Sequence, residues 1–286
     1  MAVVPLPWSQ RPWALPFLTV LAPPKSYNKA QNKRHKTTVD WTCQMIMQVR
    51  CWLPNRSIVL VGDGAYAAVK LVLCCIGFPT PVCFLFRLRQ DAALYDFPPP
   101  DQTGKRGPKP KKGDKQPSLL ERINEPSTIW NPLTIVWYDG IKRKLEIFSG
   151  ISLWYTPGQD PVPIKWVVVR DPKGELRTES FFATDLKATE KQILTWVILR
   201  WNIEVTFEEL RTHLGFETQR QWSDLAIART TPALFSMFSV VVLIALELLK
   251  SKTLTIQTCA WYQKTDATFS DVIASVRRHI WHFRNY

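Results

Sequence analysis

The sequence lacks the cysteine spacing of a structural zinc site. None of its six cysteines forms the C-x-x-C pair on which zinc fingers and ribbons depend. Most of them have apolar neighbours, so we expect reduced, buried thiols in a cytosolic protein. A signal peptide is not expected either, because the opening segment MAVVPLPWSQRPW has no basic start and is interrupted by prolines.

Acidic residues are scarce beside basic ones. The chain of 286 residues has 24 Asp and Glu against 37 Lys and Arg, a formal net charge of +13. Such a surplus favours a polyanionic partner, either nucleic acid or an anionic membrane face, over simple solubility charge. Part of it is concentrated in two clusters, Lys25–Lys36 and Gly104–Lys115 (GKRGPKPKKGDK).

Long apolar runs are also rare. The segment Pro232–Lys250 approaches the length of a membrane span, but it contains Ser236, Ser239 and Glu247. We therefore expect a buried core helix and no membrane association.

The first third of the chain alternates strands with helices. After a short strand at Ala2–Leu6, the pattern predicts a helix at Thr38–Trp52, a strand at Ser57–Val61, a helix at Ala67–Ile76 and a strand at Val82–Arg89. Strand, helix and strand in succession indicate a parallel sheet and an α/β fold.

The middle of the chain has a different character. Phe97–Pro117 is rich in proline, glycine and lysine, which predicts an exposed basic loop or linker. Four strands are then predicted, at Leu133–Tyr138, Lys144–Tyr155, Ile164–Arg170 and Glu175–Ala183. We interpret this block as an antiparallel insertion within the α/β domain.

The last third is predicted to be helical, at Thr189–His213, Ser223–Ile227, Pro232–Lys250 and Phe269–His282. Thr189 and Gln192 match a capping box, and Gly215 is a suitable helix end. The expected domains are therefore 1–96, 97–185 and 186–286.

Asp63 ends a buried strand in the stretch SIVLVGDGAYAAVK. The end of a strand is where α/β proteins commonly place functional groups. Three interpretations are open: a helix cap, a metal ligand, or part of a nucleotide-binding loop.

The nucleotide interpretation rests on a glycine-x-glycine-x-x-alanine pattern at Gly62, Gly64 and Ala67. The acid after the first glycine would repel a pyrophosphate, and no further β-α units follow. Arg87 and Arg89 stand about where the ribose-binding acid is expected, as an NADP site would have them. A dinucleotide-binding oxidoreductase is therefore the remote alternative.

A second acid lies in TWVILRWNIEVTFEELRTHLG, Thr195–Gly215. On a continuous helix Glu204 and Arg211 fall about 40° and 20° from Arg200, so all three share one face. A carboxylate between two guanidiniums suits joint binding of a metal and a phosphate. An ordinary surface ion pair is the equal alternative.

The spacing Arg200-x3-Glu204-x6-Arg211 resembles the tyrosine-x2-arginine-x3-glutamate-x6-lysine signature of DDE-type transposases from bacterial insertion sequences. VLVGDGAY resembles the motif around the second aspartate of that family, and 141 residues separate Asp63 from Glu204. FRLRQDAALY, RWNIEVTFEELRTHLGFETQRQW and TFSDVIASVRRHIW are also similar to the family, so the resemblance covers most of the chain.

The resemblance implies a ribonuclease-H-like core with a β-rich insertion between the second Asp and the Glu. It also implies two Mg²⁺ or Mn²⁺ ions held by an Asp, Asp, Glu triad that cleaves and joins DNA strands. Asp63 and Glu204 would be the catalytic and metal-binding second and third acids.

By the same resemblance the partner is double-stranded DNA, at transposon ends and targets, with a homodimer as the expected assembly and a nucleoid-associated place in the cytoplasm. The basic residues expected to bind DNA are Arg200, Arg211, Arg87, Arg89, Lys105, Arg106, Lys109, Lys111 and Lys112.

The chain departs from the family pattern in three respects. Val197 replaces the signature tyrosine, and Arg211 replaces the lysine. The first catalytic aspartate has no match, because Asp40, on an expected helix, is the sole Asp among the 62 residues before Asp63. Met1–Leu6 resembles a later core strand of the family instead.

We therefore expect a chain that lacks the N-terminal part of the core and is weakly active or inactive. A non-catalytic DNA-binding remnant of a transposase is the alternative.

Overall fold

The computed structural model describes residues 1–99, 110–138, 140–250, 256 and 263–284. The chain forms two compact units. Residues 22–198 make one, and residues 1–21 together with 199–286 make the other. The division that the sequence suggested, with boundaries near residues 96 and 185, stays a prediction.

The strands are β1 (Ala2–Leu6), β2 (Ser9–Leu15), β3 (Val59–Val61), β4 (Cys83–Arg87), β5 (Leu94–Tyr95), β6 (Asn131–Val136), β7 (Lys142–Trp154), β8 (Val162–Arg170) and β9 (Glu179–Ala183). The helices are α1 (Lys25–Ala30), α2 (Thr38–Trp52), α3 (Val69–Ile76), α4 (Leu119–Asn124), α5 (Glu190–Leu199), α6 (Asn202–Leu214), α7 (Asp224–Lys250) and α8 (Phe269–Arg284). A 3-10 turn covers Gly64–Tyr66.

The unit of residues 22–198 is built on one mixed sheet. Its strand order is β3-β4-β9-β8-β7-β5. β6 pairs with the first half of β7, residues 142–147, whereas β5 pairs with the end of β7. β3 and β4 are parallel, with Val59 opposite Cys83, and this confirms the predicted strand-helix-strand unit. The remaining pairs are antiparallel, as predicted for the β-rich block. These strands extend the same sheet as β3 and β4.

Helices cover both faces of this sheet. Successive residues of β4 point to opposite sides, so the strand contributes to the core on each face. Phe84 and Phe86 pack with α3 residues such as Val72 on one face. Leu85 packs with Ile193 and other α5 residues on the second face. Each of these side chains is almost fully buried, so the strand that follows α3 is fixed from both sides.

The other unit packs the hairpin of β1 and β2 against helices. Trp13 lies 6.2 Å from the ring of Phe238 and 6.3 Å from that of Phe269. Thr206 of α6 donates a hydrogen bond to the carbonyl of Ala14 at 2.8 Å. The expected role of Met1–Leu6 as a strand of the main sheet is therefore wrong, because β1 pairs only with β2 among the residues that the structure describes. Burial of the hairpin tryptophans against α7 and α8 accounts for this placement.

The helix predicted at Thr189–His213 is interrupted. α5 ends at Leu199 and α6 begins at Asn202, whose side chain donates to the carbonyl of Leu199 at 2.9 Å. The capping box at Thr189 and the left-handed Gly215, with φ of 71°, are both confirmed.

The two helices predicted at Ser223–Ile227 and Pro232–Lys250 form one helix, α7, with Pro232 inside it. α7 is long and apolar enough to cross a membrane, a property that core helices of soluble proteins share. Phe238, Val242 and neighbours on the same face are buried, whereas Leu243 is 57% exposed. The expectation of a buried core helix therefore holds for one face only.

Candidate active site and DNA-contacting residues

Asp63 lies directly after β3, beside the parallel strand β4. Its carboxylate is exposed and accepts a hydrogen bond from the amide of Gly64 at 2.7 Å, which caps the 3-10 turn. The capping interpretation is thus realised in the fold. One oxygen of the carboxylate makes this bond, so the group can still offer oxygen to a cation.

The position before Asp63 has no room for a side chain, which explains the glycine there, Gly62. A Cβ atom at this position would lie 2.1 Å from Cε1 of Phe86, an impossible contact. The space that a pyrophosphate-binding glycine leaves for its ligand is thus taken by a ring of the core. This geometry gives no support to the dinucleotide interpretation.

Glu204 lies in the first turn of α6 and is paired with a neighbour. Arg200 donates to its carboxylate at 3.2 Å, and the glutamate side chain is 46% exposed. Because the helix is interrupted at Arg200, this guanidinium reaches Glu204 from just before the helix begins. The carboxylate and the first arginine of the predicted face are therefore in contact.

Arg211 belongs to the last turn of the same helix, but its partner is a different acid. Its Nε donates to Glu217 at 2.5 Å. This hydrogen bond lowers the pKa of Glu217 below its ordinary value and raises that of Arg211. Both side chains are about half exposed, so the pair lies at the surface.

Arg87 and Arg89, at the end of β4, are also paired. Arg87 contacts Glu179 on β9 at 3.1 Å. Arg89 binds both oxygens of Asp91, at 2.8 and 2.6 Å. Both guanidiniums are more than half exposed, so each pair lies at the surface, where a phosphate would compete with the acid.

The described part of the basic segment is folded rather than unstructured. The backbone of residues 113–116 pairs with that of residues 94–96, and Lys115 forms a bridge with Tyr95. The prediction of an unpacked linker is therefore wrong for these residues, because β5 offers them an edge to pair with. Lys105, Arg106 and Lys109 lie outside the described residues.

Lys111 and Lys112 both contact groups of the same unit. Lys111 forms an ion pair with Asp160. The ammonium of Lys112 lies 3.6 Å from the ring centre of Tyr95 and 3.8 Å from that of Tyr155. Both lysines line a surface cleft of about 740 Å³. Every predicted DNA-binding residue that the structure describes thus already contacts an acid or an aromatic ring.

Sequence reasoning missed Arg220 and Trp222, in the loop between α6 and α7. Arg220 is exposed, and Trp222 is 96% exposed, the highest value among the exposed large apolar side chains. A tryptophan flanked by polar residues in QRQWSD was the available signal, since a core residue would not stand in such a run.

The donor atoms suit a hard divalent cation, since carboxylate oxygens are the ligands that Mg²⁺ and Mn²⁺ prefer. Asp63 belongs to the unit of residues 22–198, and Glu204 to the other. Asp40 forms a capping box with Thr37 and an ion pair with Lys70. In the described part of the chain, no three His, Cys, Asp or Glu side chains form a group that could hold a metal.

Comparison with known proteins identifies the family. The family model of the DDE superfamily endonucleases matches residues 1–144, half of the chain. A second model, described as archaeal putative transposase ISC1217, matches residues 155–257. No protein of curated function matches the chain. The chain therefore belongs to the DDE superfamily endonucleases, in agreement with its resemblance to DDE-type transposases.

Proposed function

We propose that this protein acts on the ends of a mobile DNA element as a transposase, with Asp63 and Glu204 as metal-binding carboxylates. The observation that carries the proposal is the family match, which extends through the segment that contains Asp63, while the second model includes Glu204. The exposed carboxylate at the end of β3 adds to it, because a metal ligand has to be accessible to the scissile phosphate.

In this proposal each residue has a defined task. Asp63 offers a carboxylate oxygen to the cation from a turn that Gly62 and Phe86 fix in place. Glu204 offers a second, and Arg200 orients it through the 3.2 Å contact. A bound Mg²⁺ or Mn²⁺ would activate the attacking water or 3′-hydroxyl and stabilise the leaving oxygen. Arg211 binds a phosphate of the DNA once Glu217 is displaced, and the donors of Arg200 that do not contact Glu204 bind a second phosphate.

A second function, DNA binding without cleavage, is supported by the position of Asp40. It is the sole Asp before Asp63, and the capping box and Lys70 both engage it. Two carboxylates hold a metal less firmly than three, so a site without a third acid would cleave DNA weakly or not at all. Such a protein could compete with an active relative for DNA ends.

The test combines DNA binding, metal binding and strand cleavage. Duplex DNA is titrated with the whole protein in EDTA, and nicking is then measured with Mg²⁺ or Mn²⁺. Mn²⁺ binding is followed separately by electron paramagnetic resonance for the wild type, Asp63→Asn and Glu204→Gln. Glu175→Gln is the matched control, since it removes an exposed carboxylate that pairs with Arg143 at 3.0 Å.

Three outcomes are distinguishable. Metal-dependent nicking that both site variants abolish supports the transposase. DNA binding without nicking, with Mn²⁺ affinity reduced only by the site variants, supports the non-catalytic protein. No affinity for DNA, or an affinity that salt does not weaken, overturns both functions.

The remaining expectations belong to the same proposal. They are a homodimer, a nucleoid-associated place in the cytoplasm and no membrane association. Sedimentation of the protein with and without a duplex tests whether it forms a dimer. Flotation with lipid vesicles tests membrane association, since a protein that inserts the apolar α7 would float with the vesicles.

A further inference from the structure

Trp222 presents a solvent-exposed indole ring on a structured loop. It is 96% exposed, although tryptophan is the residue that gains most from burial. The loop before it is held by several hydrogen bonds. Thr218 donates to the carbonyl of Gly215 at 2.7 Å, and the amide of Glu217 donates to Gln219 at 3.1 Å. The ring is therefore presented by an ordered segment.

Arginines stand on both sides of Trp222 in the sequence, together with the acid Asp224. Arg220 lies two residues before the tryptophan and Arg229 seven residues after it, in the second turn of α7, and both are exposed. Unlike Arg200 and Arg211, these two arginines have no ion-pair partner within the part of the chain that the structure describes. An exposed aromatic face with two such arginines near it in the sequence fits a ligand that carries both an aromatic ring and negative charge.

We propose that Trp222 stacks on an unpaired base of DNA while Arg220 and Arg229 bind its backbone phosphates. Single-stranded nucleic acid offers a π face with each base and a phosphate with each link, which is the combination that this loop complements. In a duplex the base faces are covered by their neighbours, so the indole gains contact only where bases are unpaired. The site therefore discriminates unpaired from fully paired DNA ends.

This inference rests on the proposed function, because it assumes that the protein binds DNA. The experiment measures fluorescence anisotropy in EDTA with two DNA probes, a blunt duplex and the same duplex with a short unpaired tail. The proteins are the wild type, Trp222→Ala, Trp222→Phe and Trp281→Ala. Trp281 is a matched control, since it is 62% exposed in the same unit and follows Arg277 and Arg278 on α8.

We expect Trp222→Ala to weaken binding of the tailed probe roughly 5- to 150-fold, the range for losing one stacked base. Trp222→Phe should retain most of the affinity because it keeps an aromatic face. The blunt duplex should be bound almost equally by all four proteins. A fifth protein, Arg220→Ala, should show a lower salt dependence for the tailed probe, since one phosphate contact is lost.

Three results overturn the inference while leaving the proposed function intact. The first is equal binding of the tailed probe by the wild type and Trp222→Ala. The second is the same loss for both probes, and the third is an equal loss in Trp281→Ala; each of these two would indicate a general surface effect. If the wild type binds neither probe, the proposed function fails, and the inference fails with it.

Discussion

Arg211 and Glu217 are joined by a hydrogen bond of 2.5 Å across the left-handed turn at Gly215 that ends α6. Arg211, which was expected to bind DNA, is thus paired with an acid of the loop that follows its helix. Glu217 itself has a positive φ of 67°, which is unusual for a residue with a side chain. The turn brings the carboxylate back onto the helix, so a phosphate has to compete with it for the guanidinium.

Glu217→Gln should therefore strengthen DNA binding. The change removes a negative charge that competes with phosphate and leaves Arg211 available. We expect about two- to fivefold higher affinity for duplex DNA at low salt, with the difference shrinking as salt is added. Titration at several salt concentrations measures both effects.

Glu175→Gln serves as the control for net charge. It removes one negative charge as well, but the arginine whose contact changes is Arg143, which is not among the residues expected to contact DNA. An equal gain in both variants would show that total charge, rather than Arg211, sets the affinity. In that case the assignment of Arg211 to phosphate binding would be wrong.

Gly62→Ala should destabilise the unit of residues 22–198, because the new methyl group would overlap the ring of Phe86 at 2.1 Å. Phe86 is buried and stacked on Phe84, with ring centres 3.9 Å apart, so it has little freedom to move. We expect a loss of about 1–3 kcal/mol in the free energy of unfolding, typical of an overpacked core. Urea denaturation measures it.

Gly64→Ala is the matched control, two residues away. There a Cβ atom would lie 3.8 Å from Cβ of Arg87, an ordinary contact, so stability should be nearly unchanged. If Gly62→Ala proves as stable as Gly64→Ala, then Phe86 does not occupy this space in solution. The explanation for the glycine before Asp63 would then have to be abandoned.

Arg50→Met should destabilise the same unit through unpaired carbonyls. The guanidinium of Arg50 is buried and donates to the carbonyls of Leu53 and Arg56 at 3.0 and 2.8 Å, with further contacts to Pro54 and Pro81. Methionine fills the space but donates nothing. We expect a loss of about 1.5–3 kcal/mol, the range for losing hydrogen bonds that a charged group makes.

The control for that substitution is Arg56→Met. The side chain of Arg56 is exposed, and its backbone carbonyl remains as an acceptor. Hydrogen exchange at the end of α2 should accelerate in Arg50→Met alone. Equal protection in both variants would contradict a structural role for the buried guanidinium.

Local patterns predicted much of the fold because local chemistry decides it. Thr38–Trp52 was predicted with its observed bounds, since Thr37 and Asp40 form a capping box at its start. The four strands of the β-rich block were located to within four residues at each end, because alternation and turn residues bound them.

Long-range pairing was not predictable in the same way. Nothing in Ala2–Leu6 reveals that β1 packs with the C-terminal helices, since that depends on Phe238 and Phe269, more than 200 residues away. The break at Arg200 was missed for another reason, because the helical pattern continues through it and the break depends on the side chain of Asn202.

For the candidate site, the sequence could indicate residue types but not their partners. Arg211 was expected beside Glu204, and the structure pairs it with Glu217, an acid that no spacing rule singles out. Trp222 was missed because periodicity describes buried faces and gives no information on an exposed ring. The roles of Asp63 and Glu204 stay predictions until metal binding is measured.

The stability of the unit that contains α6 should depend on pH through Glu209. Burial raises the pKa of this carboxyl above its ordinary value of 4.5, although His213 and Arg11 oppose the shift. A raised pKa means that the folded protein binds the proton more tightly than the unfolded chain. The stabilisation is therefore complete at pH below 4.5 and is lost as the pH rises through the raised value.

Glu209→Gln tests this dependence, because glutamine stays neutral at every pH. The variant should be more stable than the wild type at pH 7, and the gap should close as the pH falls toward 4. Urea midpoints between these values measure the gap, and Glu208→Gln, an exposed neighbour on α6, should show no such trend. A Glu209→Gln protein that is less stable than the wild type at pH 7 would mean that attraction to Arg11 and His213 outweighs the cost of burial.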